Sequence, residues 1–483
     1  MNRGAFRPLG LAALLMLSAC STVGPNYAVP DDAAYRRPAA NAAFVDTGND
    51  QVQPGAAPPA RLWALYQYPM LDGLIKQALR DNVELKVAGA NLRRAAAVYE
   101  QAMDAGGFDV EVEAGVSRAQ VSAEAFLQEE KLPVFNLADG KLGVSYQFDL
   151  FGKLQRGAEA AHADTQVAQA AIDLARVSVA AQVAGSYVEI CHANHELQVA
   201  EHSLQLQQHS RQITQRLIAA GRGTPPDLAR ATAQVAMLEA SLPPLRAHRQ
   251  AAGYQLAALL GKTPGEVPAG VDSCAHAPAL QQPIPIGDGR ALLARRPDVR
   301  QAERRLAAAT VRIGVATAEL YPDIRLGGSI SATGLLADFG EPATHAWSLG
   351  PLISWTLPSS GARALVRATG ADAALAQFEN TVLQALREVQ TTVSRYAQDL
   401  DRLHLLEQAQ QQAELASSQN RRLYRGGRTP YLSSLDAERT LATADMTLAT
   451  AQAQVSQDQI QLFLALGGGW DADAGRTDAT AAR

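Results

Sequence analysis

Hydrophobic positions recur along this chain with two different periods, and the changes between them mark its elements. Leu71, Leu74, Ile75, Ala78 and Leu79 sit at helical spacing, and the helical pattern runs to about Ala105, where Gly106-Gly107 stops it. The period then drops to two. Phe108, Val110, Val112, Ala114 and Val116 alternate with Asp109, Glu111, Glu113, Gly115 and Ser117. After a polar stretch over 119–140, Leu142, Val144, Tyr146, Phe148 and Leu150 alternate with Lys141, Gly143, Ser145, Gln147 and Asp149. Each run approaches the ~10 residues of a tilted membrane-spanning strand. Helix returns at about Lys153 and is unbroken to Ala220, which is about 100 Å at ~1.5 Å per residue. A turn at 221–226 sends the chain back from Asp227 to about Leu260, with Pro243-Pro244 expected to kink or interrupt the return helix.

Past a proline-rich linker at 263–289 the scheme restarts. Helix spans 290–320, and Ile324, Leu326, Gly328 and Ile330 then alternate with Arg325, Gly327, Ser329 and Ser331. Trp347, Leu349, Ile353, Trp355 and Leu357 share one face of a fourth strand, with the two tryptophans near its ends, where an interfacial aromatic girdle would lie. A long helix covers about 362–424, a turn 425–430, and a last helix runs to Leu466; 467–483 is expected to be a disordered tail. The repetition extends to residues. At an offset of 214, Leu85, Ala88, Leu92, Ala102 and Asp109 fall on Val299, Ala302, Leu306, Ala316 and Asp323; at 206, Arg216, Leu217, Gly221 and Ala231 fall on Arg422, Leu423, Gly427 and Ala437. The chain is therefore read as a duplication, 61–262 and 290–466, each repeat holding a helix, a β-hairpin (108–150 and 322–357) and a long helical hairpin.

The N-terminus adds a membrane address. Arg3 and Arg7 precede a short apolar core, Leu9 to Leu17, and Leu17-Ser18-Ala19-Cys20 resembles a bacterial lipobox, in which Cys20 takes a lipid and becomes the mature N-terminus. Removing residues 1–19 deletes two arginines and no acid, taking the formal charge from −5 to −7, a balance that argues against nucleic acid as a partner. Ser21, rather than Asp, follows the lipidated position, which in the lipoprotein pattern resembles sorting to the outer membrane. Residues 20–60, rich in proline, read as an extended tether. No other apolar run is expected to reach the ~18 residues of a transmembrane helix, so strands must do any spanning.

An open sheet edge cannot face lipid, because its N–H and C=O groups find no partner there. Four strands are too few to close a barrel, since even small ones need ~8. Several subunits must therefore share one barrel, with the apolar faces toward lipid and Asp109, Glu111, Glu113 and Asp149 toward a wet lumen. The Ala-rich helices make the same demand, since only side-by-side packing buries their stripe.

The motifs then point to a family. Arg296-Pro297-Asp298-Val299-Arg300-Gln301-Ala302-Glu303, Ile313-Gly314-Val315-Ala316 and Tyr321-Pro322 resemble the signature of TolC-like outer-membrane efflux proteins. Phe148-Asp149-Leu150-Phe151-Gly152-Lys153 is similar to that family's first strand-to-helix junction, and Gly24-Pro25-Asn26-Tyr27 to its lipidated, NodT-type branch. The resemblance covers essentially the whole mature chain. It implies an α+β membrane fold: a homotrimer with a 12-stranded outer-membrane β-barrel continued by a long α-helical periplasmic barrel. It also implies a periplasmic adaptor, an inner-membrane pump that is usually proton-driven in the lipidated branch, passive conduction of small molecules, no catalysis, and no cofactor beyond the lipid on Cys20.

In that family the hairpin tips close the periplasmic aperture and dock the adaptor. Gly221 and Gly427 match the tip glycines, with Thr224, Pro225, Thr429 and Pro430 in the same turns. Asp227 and Tyr424 match residues that hold the closed state, and Asp436 matches an acidic ring at the constriction. Ser433 stands where some members carry a second acid, and Arg428 lies one place before the family's latch arginine, at Thr429. The gate is thus expected to use Asp227, Tyr424, Arg428 and Asp436 with fewer ionic contacts, although Asp227 also reads as a plain cap of the return helix. Cys191 lies ~45 Å above the first tip, and Cys274 follows a return helix of similar length in the linker that resembles the family's equatorial domain, so similar height permits a disulfide between them. Rival readings are a duct for type I protein secretion, a coiled-coil lipoprotein without a pore, and a periplasmic enzyme built on His192, His195, His202 and His209. For the last, no carboxylate or cysteine constellation completes a metal site.

Overall fold

Alternating apolar residues make strands only if something covers or dissolves their apolar face, and here that face is left open over the whole of one sheet. The computed structural model describes residues 22–468 apart from 46–48, 57, 60–61, 121, 125–126, 128, 275, 281 and 358–369. The signal region with Cys20, the beginning expected near 362 for the long helix of the second repeat, and the tail past 468 lie outside the described residues. In chain order the described elements are β1 (Val52–Pro54), α1 (Pro69–Asp81), α2 (Val83–Asp104), β2 (Phe108–Ala119), β3 (Phe135–Phe148), α3 (Lys153–Ala219), α4 (Pro225–Leu259), β4 (Ile284–Gly287), α5 (Gly289–Arg295), α6 (Pro297–Ala318), β5 (Asp323–Leu335), β6 (His345–Ser354), α7 (Ala371–Arg425) and α8 (Tyr431–Ala465). The chain divides into two compact units. One is built from residues 91–169, 301–378 and the segment ending at Pro30; the other is built from 31–90, 170–300 and the chain from 379 onward.

The first unit carries an antiparallel sheet in the order β2-β3-β5-β6, so the two hairpins of the duplication pair through β3 and β5. The register aligns their faces. Val112, Leu142, Ile330 and Trp347 stand in one row across the sheet, and Val110, Val144, Gly328 and Leu349 in another. The rows between belong to the other face: Glu113, Lys141, Ser331 and Ala346, then Glu111, Gly143, Ser329 and Ser348. The apolar rows are solvent-exposed in the protomer. On the polar face Lys141 lies 3.4 Å from both Glu111 and Glu113, so the acidity expected of this surface is partly neutralised. Asp149 departs from its expected place. It lies past the end of β3, and its carboxylate accepts from the backbone N–H groups of Leu154 (3.1 Å) and Gln155 (2.9 Å), so it caps α3 rather than facing a lumen.

The second unit holds an extensive hydrophobic core. Leu62, Trp63, Tyr66, Leu71 and Leu74 meet the middle of α3 (Val179 to Cys191), the end of α4, β4, the middle of α7 and the end of α8. The segment expected as an extended tether is largely folded. It makes short 3-10 turns at Ala34–Arg36 and Pro38–Asn41, pairs β1 with β4 in parallel, and buries Phe44 and Val52, because its scattered apolar residues have a core to join. In the first unit its start is pinned as well. Tyr27 donates to Glu303 Oε1 (2.5 Å), Arg156 Nη2 donates to Asn26 Oδ1 (2.7 Å), and Gly24 touches Gly314 so closely that a Cβ would sit 2.4 Å from that Cα. The Gly24-Pro25-Asn26-Tyr27 motif is thereby explained as a docking segment.

Three expectations about the helices change. The first helix is two, because Asn82 ends α1 with its N–H on Ala78 O (2.9 Å) and accepts from Leu85 N (3.2 Å) to start α2. Pro243 and Pro244 do not interrupt α4; the carbonyls they free, on Glu239 and Ala240, lie at exposed positions. Finally, α3 does contain an 18-residue window apolar enough to cross a membrane by composition, but half of that window is buried inside the protein. Cys191 and Cys274 form a disulfide with Cα atoms 4.9 Å apart, embedded in the same core, and Asn194 Nδ2 donates to Cys274 O (2.8 Å) beside it.

Candidate functional site at the helical tips

A helix must satisfy its last carbonyls when it turns back, and both long hairpins solve this identically. At the first tip Arg222 N donates to Leu217 O (2.8 Å) and Gly221 N to Ile218 O (2.9 Å); at the second, Arg428 N donates to Leu423 O (2.9 Å) and Gly427 N to Tyr424 O (2.9 Å). This is the Schellman pattern, and it needs a left-handed residue, supplied by Gly221 (φ +70°) and Gly427 (φ +71°). Any side chain at Gly427 would also strike Arg222, whose Nη2 would lie 2.3 Å from its Cβ, so the two tips of one protomer touch there. Thr224-Pro225 and Thr429-Pro430 are not equivalent: α4 begins at Pro225, whereas Pro430 precedes α8, and the residue matching Pro225 four past the glycine is Tyr431.

The expected gate residues separate into two settings. Tyr424 is buried, 8% exposed, in a cluster with Ala231, Tyr431 and Leu435; its ring lies 5.4 Å from that of Tyr431 and its hydroxyl 3.3 Å from Thr214 Oγ1 on α3. Burial pushes its phenol up, opposed by the hydrogen bond to Thr214 and reinforced by the charges of Asp227 and Glu438; Asp227 stands one turn before Ala231, which packs in the Tyr424 cluster. Asp227 instead bonds within its own turn, accepting from Thr224 Oγ1 (2.6 Å) and Arg230 Nη1 (3.3 Å). Arg428 and Asp436 have exposed side chains. Thus the protomer gathers Tyr424 and Asp227 into one locality and leaves Arg428 and Asp436 on the surface.

Sequence reasoning missed the partners that hold Tyr424. Gln207 Nε2 donates to the Tyr431 hydroxyl (3.2 Å), Thr214 meets Tyr424, and Glu438 lies buried below them. In sequence these polar residues look like ordinary helix surface. Only their spacing, Gln207, Ser210 and Thr214 at steps of three and four, signals a shared face. The signature arginine also gains a reason: Arg296, nearly buried, donates to Asp298 Oδ1 (2.9 Å), Glu388 Oε2 (2.8 Å) and Ala465 O (2.8 Å), tying α6 to α7 and the end of α8. The four histidines considered for a metal site on α3 do not converge. His192 is buried, the His195 ring lies tilted 5.9 Å from that of His276, and His202 and His209 are exposed; among the described residues no group of three or more His, Cys, Asp and Glu could hold a metal ion.

A family model described as outer membrane efflux protein matches residues 74–262 and 289–468. Nodulation protein T of Rhizobium leguminosarum bv. trifolii is 28% identical over 465 residues, covering 95% of this chain and 96% of its own length. Outer membrane protein OprJ of Pseudomonas aeruginosa is 27% identical over 484 residues, 98% and 97% of the two chains. Among solved structures, the outer-membrane channel OprN matches with a TM-score of 0.83 at 34% identity, over 93% of this chain and 100% of its own. The open state of the Neisseria gonorrhoeae MtrE outer membrane channel matches with a TM-score of 0.74 at 25% identity, over 93% and 98%.

Proposed function

This chain belongs to the outer membrane efflux protein family, and from that premise we propose that its two helical tips form a periplasmic gate latched by Tyr424 and Asp227. It is the outer-membrane channel component of a tripartite efflux system, a trimer whose chains each give four strands to one barrel. The observation that carries the gate reading is the pairing of two identical glycine turns with a buried tyrosine and an acid beside it. Tyr424 fixes the second hairpin against the first, and Asp227, Arg428 and Asp436 remain as the polar groups offered to neighbouring protomers. Asp436, exposed along α8, gives the aperture its negative charge and its preference for cations.

The tips at Gly221, Thr224, Pro225, Gly427, Thr429 and Pro430 receive the periplasmic adaptor, and an inner-membrane, proton-driven pump supplies the energy. Cys20 carries the lipid, and Asp109, Glu111 and Glu113 face the barrel lumen. Relatives that align over nearly the same length are named for different cargoes, pyoverdine export in Pseudomonas putida and toluene efflux in another strain of that species. One architecture serving such different molecules supports a passive duct whose selectivity lies in the pump. Single-channel conductance in planar bilayers tests the gate. The wild type is expected to conduct weakly and Asp227→Ala/Tyr424→Phe severalfold more; equal, stable conductance removes both residues from the latch.

A further inference from the structure

Beneath the tips a second set of buried polar groups joins the hairpins, and the role assigned to it rests on the reading of the tips as the gate. Ser434 and Glu438 lie one turn apart on α8 and face inward, 0% and 8% exposed. Glu438 Oε1 accepts from Ser210 Oγ on α3 (3.4 Å) and from Ser434 Oγ (3.3 Å). Both bonds are long for hydroxyl donors, so they hold the carboxylate loosely. Its other oxygen, Oε2, has no hydrogen-bond partner among the described residues, and neither has the fully buried Ser417 Oγ on α7. Both residues line the same cavity of about 10 Å³, which has Ser203, Gln207 and Gln234 on its polar side and leucines of α3, α4 and α8 on its other walls. Leaving two such groups unmet costs ~1–3 kcal/mol each, more for a charge. A water needs ~10–15 Å³ and two to four polar partners, and the unmet Glu438 and Ser417 oxygens with the neighbouring Ser and Gln side chains supply them.

We propose that Glu438, bridged to the Ser417 hydroxyl by one buried water, is a bolt that fastens the α7–α8 hairpin to α3 below the gate, so that opening at the tips must break it. The bolt meets a matching stripe. Gln207, Ser210 and Thr214 on α3 engage Tyr431, Glu438 and Tyr424 in turn, which sets the two hairpins in one register. Burial pushes the Glu438 carboxyl up, opposed by the Ser210 and Ser434 hydroxyls and by the charges of Arg421 and Arg425. A buried acid that only packed would be replaceable by an apolar residue of its size without loss. A bolt would not.

Full-length trimer carrying Glu438→Met, Glu438→Gln or Ser417→Ala separates these cases. Conductance is recorded in planar bilayers, and distances are measured between spin labels at exposed Gln215 on α3 and Leu432 on α8. Glu438→Met is expected to raise conductance severalfold and broaden the distances. Glu438→Gln, which keeps an acceptor for Ser210 and gains a donor toward the cavity, stays near wild type, and Ser417→Ala falls between. If Asp227→Ala/Tyr424→Phe opens the channel while Glu438→Met leaves conductance and distances unchanged, the bolt is overturned and the gate stands. If no variant opens the channel, both readings fall. Should Glu438→Met not assemble, Ser417→Ala decides alone: wild-type conductance and distances in that variant overturn the bolt.

Discussion

His192 shows how one side chain ties stability to pH. It is buried beside the disulfide, and among the described residues its Nε2 has no hydrogen-bond partner. Desolvation, followed by the nearby His195, pushes its pKa down from 6.5 to about 4. Because the folded value is depressed, the protein gains stability from a neutral His192 that is fully present above pH 6.5 and is lost as pH falls through 4. The loss amounts to roughly 3 kcal/mol per protomer at most, at ~1.36 kcal/mol per unit. Asp458 acts oppositely: burial and its contact with Asp399 raise it to about 6, so its contribution is present below pH 3.8 and is lost as pH rises through 6. Thermal melts of wild type and His192→Leu between pH 7.5 and 4.5 isolate the histidine. The wild type should lose Tm on acidification more steeply than the variant, and parallel curves would refute the assignment. None of this was legible in sequence, where the histidines differ only in position. The capping role of Asp149 was equally hidden, because strand alternation continues through it and only backbone geometry moves it off the sheet.

At the scale of elements, periodicity was a good guide wherever one face decided the outcome. The order of the strands, the tips and the internal duplication follow from period and glycine placement, and equal lengths of α2 and α6, and of α4 and α8, bear the mark of the repeat; but β3 begins at Phe135, inside the stretch expected as a loop, and β6 ends at Ser354, before the Trp355 and Leu357 expected on it. Periodicity was blind where a single polar residue reset the backbone, as at Asn82, or where exposure let a helix absorb two prolines. It was also blind to the folding of the described residues between 22 and 59, whose apolar side chains are too scattered to show a period yet still reach a core. The disulfide fastens the middle of α3 to the segment after α4, 83 residues on. Closing a loop of that length stabilises by about 4.5 kcal/mol in the chain-entropy account. Cys191→Ala/Cys274→Ala should therefore unfold at lower denaturant with assembly and conductance preserved. An unchanged midpoint would mean that the surrounding core already fixes the segment.

For the whole molecule, the sheet fixes the assembly. β2 and β6 are its edges, and in lipid each needs a strand from another chain. The register that aligns Val110, Val144, Gly328 and Leu349 in one row also predicts which face meets lipid. Leu349→Arg places a charge on that face near mid-strand, at a cost of ~2–4 kcal/mol per chain, whereas Ser348→Arg projects to the opposite side. The first should deplete heat-modifiable trimer in the outer membrane and the second should not; equal depletion would refute the face assignment. The sequence already demanded partner subunits, because four strands cannot close. What it could not show was how the two hairpins meet, since the pairing of β3 with β5 joins residues nearly two hundred positions apart.

The docked N-terminal segment has one more consequence. Thr22 bonds to Gln155 and packs on Gly152, and Val23 N donates to Phe151 O, so the chain is already moored at the strand-to-helix junction two residues after Cys20. Two residues span at most ~7 Å. A lipid carried on Cys20, as proposed above, would therefore act as a depth gauge rather than a leash. It would set the level of the membrane surface against the start of α3.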